Sequence, residues 1–265
     1  MIRAETDGGW LLVTHPDHAR LAGQFADAWG NARFARPEPY DAVRQAVFHH
    51  DDGWLLRDAV PTLTRDGRPE AFTRALVGAY SAFEEIDLPA YLRVRGEATA
   101  AVADVDAYAG ILVSMHTVNL LTEQANPASI RPEHRPAHAD FVVAQRAWQE
   151  ATAARIGANR AALQRGFEFL QACDNLSLIV CSGYDQARDL RHTHADCDGQ
   201  RCTLRCSPVS ETTWQIAPWP FTAGPLSFEV PFRQVAHTDC LDLTRYRAAF
   251  AAAPVQTRRI TLVAG

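Results

Sequence analysis

The sequence predicts an α+β protein that is mainly α: a helical bundle core carrying a small antiparallel β-sheet. Three observations predict it. Between residues 14 and 185 apolar side chains recur at three- and four-residue spacing, the period of helices with one buried stripe. After Cys181 the texture changes to short β-like runs separated by turn residues. Ahead of the first helix, Trp10-Leu11-Leu12-Val13 is a short β-like run placed to complete the sheet. With 265 residues and a 47% hydrophobic share, the chain can bury a core as one domain. The expected layout is a single domain over 1–265, with a helical core over 14–185 and a β-rich appendage over 195–265 packed on it.

The first helix starts at Thr14-His15-Pro16-Asp17. Thr14 can cap, Pro16 stands in the first turn where no donor is lost, and Asp17 suits the positive helix end. The helix runs to about Trp29, before Gly30-Asn31, and its stripe is Leu21, Ala22, Phe25 and Trp29, with His18 one turn earlier. Pro37-Glu38-Pro39 breaks the chain, and a second helix spans about Tyr40 to His50. Val43, Ala46 and Val47 face inward, His50 is next on that stripe, and Asp51 follows at the helix end. Gly53 to Pro69 reads as a long loop and Glu70 to Phe83 as a helix, while Pro89 interrupts Glu84 to Leu92 and leaves its type open.

A helix over Asp104 to Thr122 carries Tyr108, Leu112, Val113 and Leu120, with His116 on the same side. Asn126 to Pro136 is a loop. Ala137 to about Ile156 is helical, burying Phe141, Val142 and Trp148, and Gly157-Ala158-Asn159 turns the chain. Arg160 to Val180 is the last long helix, with Asp174 set between Leu170 and Leu178 on its stripe. The β-like runs are Cys202 to Arg205, Thr212 to Ala217, Leu226 to Phe232 and Arg259 to Val263.

Composition narrows the function classes. A net charge of -5 and a pI of about 6.0 argue against a nucleic-acid surface; all the basic charge is arginine, which reads as a composition bias. No run approaches the about 18–20 apolar residues of a membrane helix, and Met1-Ile2-Arg3-Ala4-Glu5 leads into no signal-like apolar segment. A cytoplasmic protein with reduced thiols is expected. Its partner is expected to be a small, anionic substrate, with neither nucleic acid nor membrane involved; the sequence leaves the oligomeric state open.

Four helices each place an ionisable group within an apolar stripe: His18, His50 with Asp51, His116 and Asp174. Burying one such group alone costs a few kcal/mol, about 1–3 on protein scales. Several meeting at one point relieve each other around a cation. Neutral imidazole with carboxylate suits zinc, iron, manganese or cobalt. A lone inward histidine is ordinarily a satisfied core residue, but four coincident groups point to a metal.

The order His18, His50-Asp51, Asp174, with Gly53 after the doublet, resembles the HD superfamily. More closely, the chain resembles an uncharacterised bacterial family of HD-like proteins of unknown function. The matching segments are Leu12 to Ala19, His50 to Trp54, Leu112 to His116 and Cys173 to Leu178. Trp54 departs from the lysine common in HD proteins, so phosphate contacts made by that lysine do not carry over. The resemblance implies an HD-like helical core in which His18, His50, Asp51 and Asp174 bind the principal metal. It implies hydrolysis of a phosphoester as the usual chemistry. Asp51 can bridge two ions when further histidines are present. His116 is then a ligand of the second ion or a contact to the reacting group, and His138 either completes that second site or is a helix-start histidine. One or two divalent transition-metal ions are expected.

Around these ligands other roles are open. Asp52 either accepts a proton from the attacking water or caps the following turn. Trp54 and Arg57 either line the substrate pocket, Arg57 meeting an anion, or serve helix-end packing and a surface ion pair. His15 and His49 are outer-shell groups or surface residues. His192, His194, Cys197, Cys202 and Cys206 form a polar cluster without a paired C-x2-C pattern, and an ordinary loop and strand is the simpler reading than a zinc site. The first functional expectation is a metal-dependent hydrolase acting on a phosphorylated small molecule. The others are an HD-type di-iron oxygenase and a metal-bearing sensor or interaction protein without enzymatic activity.

Overall fold

The computed structural model describes residues 1–73, 81–82, 87–192 and 194–265; for residues 73, 81, 82, 194 and 195 it describes the backbone alone. The fold is α+β. The chain opens with a hairpin of β1 (Ile2–Thr6) and β2 (Gly9–Val13), then enters α1 (His15–Ala28). Thr14 caps α1 by accepting from the Asp17 backbone, as the sequence implied. α2 (Tyr40–His49) ends at His50, and a 3-10 turn (Asp52–Trp54) leads directly into α3 (Leu55–Asp58). The start of the expected 53–69 loop is therefore helical.

β3 (Phe72–Thr73) pairs parallel with β1, and β4 (Ser81–Ala82) pairs with β5 (Ala125–Asn126). The helix expected over Glu70 to Phe83 is thus not helical where described: Phe72–Thr73 and Ser81–Ala82 are strands and Glu70 and Ala71 are irregular; its residues 74–80 and 83 lie outside the described residues. α4 (Leu88–Val105) is a long helix that the sequence reading did not assign. Pro89 stands in its first turn, where the missing N–H costs nothing, and the Asp87 side chain caps the Ala90 backbone. The proline starts a helix here and does not break one. Asp106 then caps α5 (Ala107–Asn119), so the expected Asp104 to Thr122 helix begins three residues later. At the α4–α5 contact a Cβ on Gly110 would stand 2.4 Å from the Ala103 Cβ, so only glycine admits this approach.

α6 (Arg135–Ile156) and α7 (Arg160–Cys181) follow, with Gly157 in the left-handed region at φ 65° and Asn159 capping α7. After α7 come β6 (Arg188–Asp189), β7 (His194–Ala195), β8 (Arg201–Cys202), β9 (Arg205–Ser210), β10 (Thr213–Ala217), β11 (Leu226–Val235), α8 (Leu243–Ala252) and β12 (Gln256–Ala264). The described strands build an eight-stranded sheet in the order β3-β1-β2-β11-β12-β10-β9-β6. It is larger than expected and mixed, because β1 with β3 and β10 with β12 run parallel.

The sheet packs directly on the helical bundle. One core unites Ile2 and Val13 of the first hairpin, Phe25 of α1, Leu112 of α5, Leu170 of α7, and Trp214, Val230 and Ile260 of the later strands. Phe25 meets Phe228 edge to face at 4.8 Å between ring centroids, and Gln24 donates to the Glu229 carbonyl. The α1–α7 face of the bundle is thereby fixed against the sheet, which sets the positions of His18 and Asp174. No helix among the described residues is long and apolar enough to cross a membrane.

Candidate metal centre

Five side chains from α1, the end of α2, α5 and α7 converge in the bundle interior. His18, His50, Asp51, His116 and Asp174 are all buried. Their donor atoms form two overlapping groups, His18 with His50 and Asp174, and His50 with Asp51 and His116, each within 4.8 Å. The His50 ring stands 5.2 Å from that of His18 and 5.1 Å from that of His116, centroid to centroid. The four residues selected from their apolar stripes, and Asp51 beside His50, are all brought together.

The outer partners of the imidazoles decide what each ring offers inward. His50 Nδ1 lies 2.8 Å from the Val47 carbonyl, which only accepts, so Nδ1 carries the hydrogen. Ser177 Oγ donates to the Asp174 carbonyl and therefore accepts from His18 Nδ1 at 2.8 Å. Gln171 donates its amide to Asn119 Oδ1 and His192 Nε2, each at 3.0 Å, which turns its carbonyl toward His116 Nδ1. All three rings are thus held as Nδ1–H tautomers with an Nε2 lone pair left over, the arrangement that histidine ligands take from their outer contacts.

These lone pairs face carboxylates. His18 Nε2 is 3.0 Å from Asp51 Oδ2. His50 Nε2 is 3.3 Å from Asp174 Oδ1 and 3.9 Å from Asp51 Oδ2, yet it is buried without a hydrogen-bond partner. A lone pair against a carboxylate is repulsive unless a cation lies between them. The titration behaviour says the same. Burial pushes the His50 pKa down, but the charges of Asp51 and Asp174 outweigh it and raise it to about 9. With no ion bound, a proton is the cation these carboxylates draw in. Burial lowers His116 to about 4, so its ring is neutral. Burial also opposes charge on Asp51 and Asp174, but Arg95 and His50 hold Asp51 well below the usual carboxylate range, and His50 lowers Asp174. The donor set fits a divalent ion of the zinc, iron, manganese or cobalt class.

Arg95 was not among the residues singled out in the sequence. Its Nη1 donates to Asp51 Oδ1 at 2.6 Å, and its Nε donates to Tyr91 Oη at 3.3 Å. It is only 6% exposed. Leu88, Leu92, Arg95, Thr99 and Val102 are the buried stripe of α4, so assigning that helix would have shown the arginine facing inward. Gln171 and Ser177 were also missed; each stands three residues from Asp174 on the same face of α7.

The remaining predictions fare differently. Asp52 is part-exposed, bonded to His49 Nδ1 at 2.6 Å and 3.7 Å from Arg20, and belongs to neither donor group. It starts the 3-10 turn, and its side chain is engaged by His49 and makes no cap bond there. His138 lies half-buried on α6 with Nε2 3.2 Å from the Leu121 carbonyl and also belongs to neither group. Trp54 is buried, stacked on His15 at 4.8 Å, with the Arg95 guanidinium 5.1 Å from its ring centroid. Its role is packing beside Arg95. Arg57 pairs with Glu70 at 3.8 Å. Among the described residues, His192, Cys197, Cys202 and Cys206 join no metal-capable group. Cys206 is buried in the core, Cys197 is exposed, His192 bonds Gln171, and the side chain of His194 is not described. A cavity of about 380 Å3 bordered by Arg36, Arg165, Asp196 and Cys197 contains none of the five donors.

No curated protein and no solved structure matches the chain. A family described as protein of unknown function, DUF3891, matches residues 1–237 and so spans all five donors and Arg95. The chain belongs to this DUF3891 family.

Proposed function

We propose that this protein is a metal-dependent hydrolase of the HD type that cleaves a phosphoester in a small anionic molecule. The observation that carries the reading is the convergence of three Nε2 lone pairs and two carboxylates, with His50 Nε2 buried and unpartnered. The resemblance of His18, His50-Asp51 and Asp174 to the HD pattern supplies the reaction class. A divalent ion in this donor set would supply Lewis acidity and a hydroxide nucleophile near neutral pH. The chain's own residues do the rest. Val47, Ser177 and Gln171 fix which nitrogen each ring presents, Arg95 holds Asp51, and Trp54 packs against Arg95 and His15 beside it.

The test loads the purified protein with manganese, iron, zinc or cobalt and screens generic phosphoesters. Turnover is expected with at least one ion and should fall at least a hundredfold in His50→Ala and Asp174→Asn variants that retain the helical circular-dichroism signal. A metal-loaded protein that turns over none of them would overturn the hydrolase assignment.

A further inference from the structure

We propose that the centre holds a single ion and that the guanidinium of Arg95 stands in for a second one. The inference rests on the metal reading above and fixes its stoichiometry. Two donor groups are present, but both use His50. An imidazole nitrogen has one lone pair and binds one ion. His50 Nδ1 is committed to the Val47 carbonyl, so Nε2 alone serves both groups and they collapse into one site. The expected extra ligand, His138, points to the Leu121 carbonyl.

Charge leads to the same result. In two-ion sites an aspartate commonly bridges the ions through its two oxygens. Here Asp51 Oδ2 faces His18 and His50, while Oδ1 is held at 2.6 Å by Arg95 Nη1. The outer oxygen thus already has a fixed cation. Asp51 and Asp174 carry two negative charges and Arg95 one positive, so one divalent ion leaves the buried cluster at +1, whereas two would leave it at +3. Burial makes that excess costly, because charge repulsion is poorly screened away from water. The pattern excludes chemistry that needs two ions, including dioxygen activation at a di-iron pair.

The experiment strips the full chain with chelator and titrates Mn2+, reading free Mn2+ by electron paramagnetic resonance and bound metal by elemental analysis. One Mn2+ per wild-type chain is expected at saturation. Arg95→Gln, which keeps an amide beside Asp51 but removes the repelling charge, should bind Mn2+ at least threefold tighter, and Arg95→Lys should bind like wild type. Two ions per wild-type chain would overturn the proposal whether or not the variants fold. One ion with unchanged or weaker binding in a folded Arg95→Gln would show that Arg95 only positions Asp51. Wild-type protein that binds no Mn2+, Fe2+, Zn2+ or Co2+ would instead sink the metal reading itself.

Discussion

At the scale of single residues, what makes an inward histidine a ligand is the atom behind it. Each ring has two nitrogens, and a buried ring free to exchange tautomers presents its lone pair only part of the time. Val47 settles this for His50 with backbone, which no substitution removes. Gln171 settles it for His116 with a side chain, itself oriented by Asn119 and His192. Gln171→Met should therefore weaken Mn2+ binding about 10–100-fold, the usual effect of losing an outer partner. Gln171→Glu keeps an acceptor behind the ring and should stay closer to wild type. Competition with a chelating dye separates the two variants, and equal affinities would mean that Gln171 has no part in presenting His116.

At the scale of elements, the centre depends on how closely the corner after α2 approaches α4. Gly53 makes that approach possible: a Cβ there would stand 2.5 Å from the Ala98 Cβ and 3.1 Å from the Val94 carbonyl. Gly53→Ala should destabilise the fold by about 1–3 kcal/mol in urea unfolding, the range for overpacking. It should also weaken metal binding by shifting Asp51 away from His50 and His116, with which it shares a donor group. Unchanged stability would show that the corner has room to shift. The glycine was visible in the sequence, but its reason was not, because α4 had not been assigned. α1, α2, α6 and α7 were legible since each repeats an apolar stripe between clear caps and breaks. α4 was obscured by reading Pro89 as an interruption, β1 is a short strand, and α8 buries only Tyr246 and Phe250, too sparse a stripe to stand out. His18, His50, His116 and Asp174 were legible for the same reason as the helices, as polar residues on apolar stripes, and Asp51 by its place after His50. Arg95, Gln171 and Ser177 act across helix contacts, and sequence spacing alone does not say which helix faces which.

At the scale of the whole molecule, the donors tie together parts of the chain that share little else locally. His18 comes from α1, His50 and Asp51 from the end of α2, His116 from α5 and Asp174 from α7, and α1 is also fixed to the sheet through Phe25 and Gln24. An unfolded chain offers no such arrangement, so an ion that binds the folded state adds its binding free energy to stability. At a free concentration a thousandfold above its Kd this amounts to about 4 kcal/mol. Thermal unfolding of chelator-stripped protein should thus shift upward on adding Mn2+, by several degrees or more for a chain of 265 residues. His50→Ala and Asp174→Asn should each lose most of that response, since each removes an inner donor and His50 serves both groups. Cys197, exposed and outside both groups, is the control: Cys197→Ser should keep the full shift. If the shift survives in the first two variants and vanishes in the third, the stabilising ion binds at the polar cluster near residue 200 and not in the bundle interior.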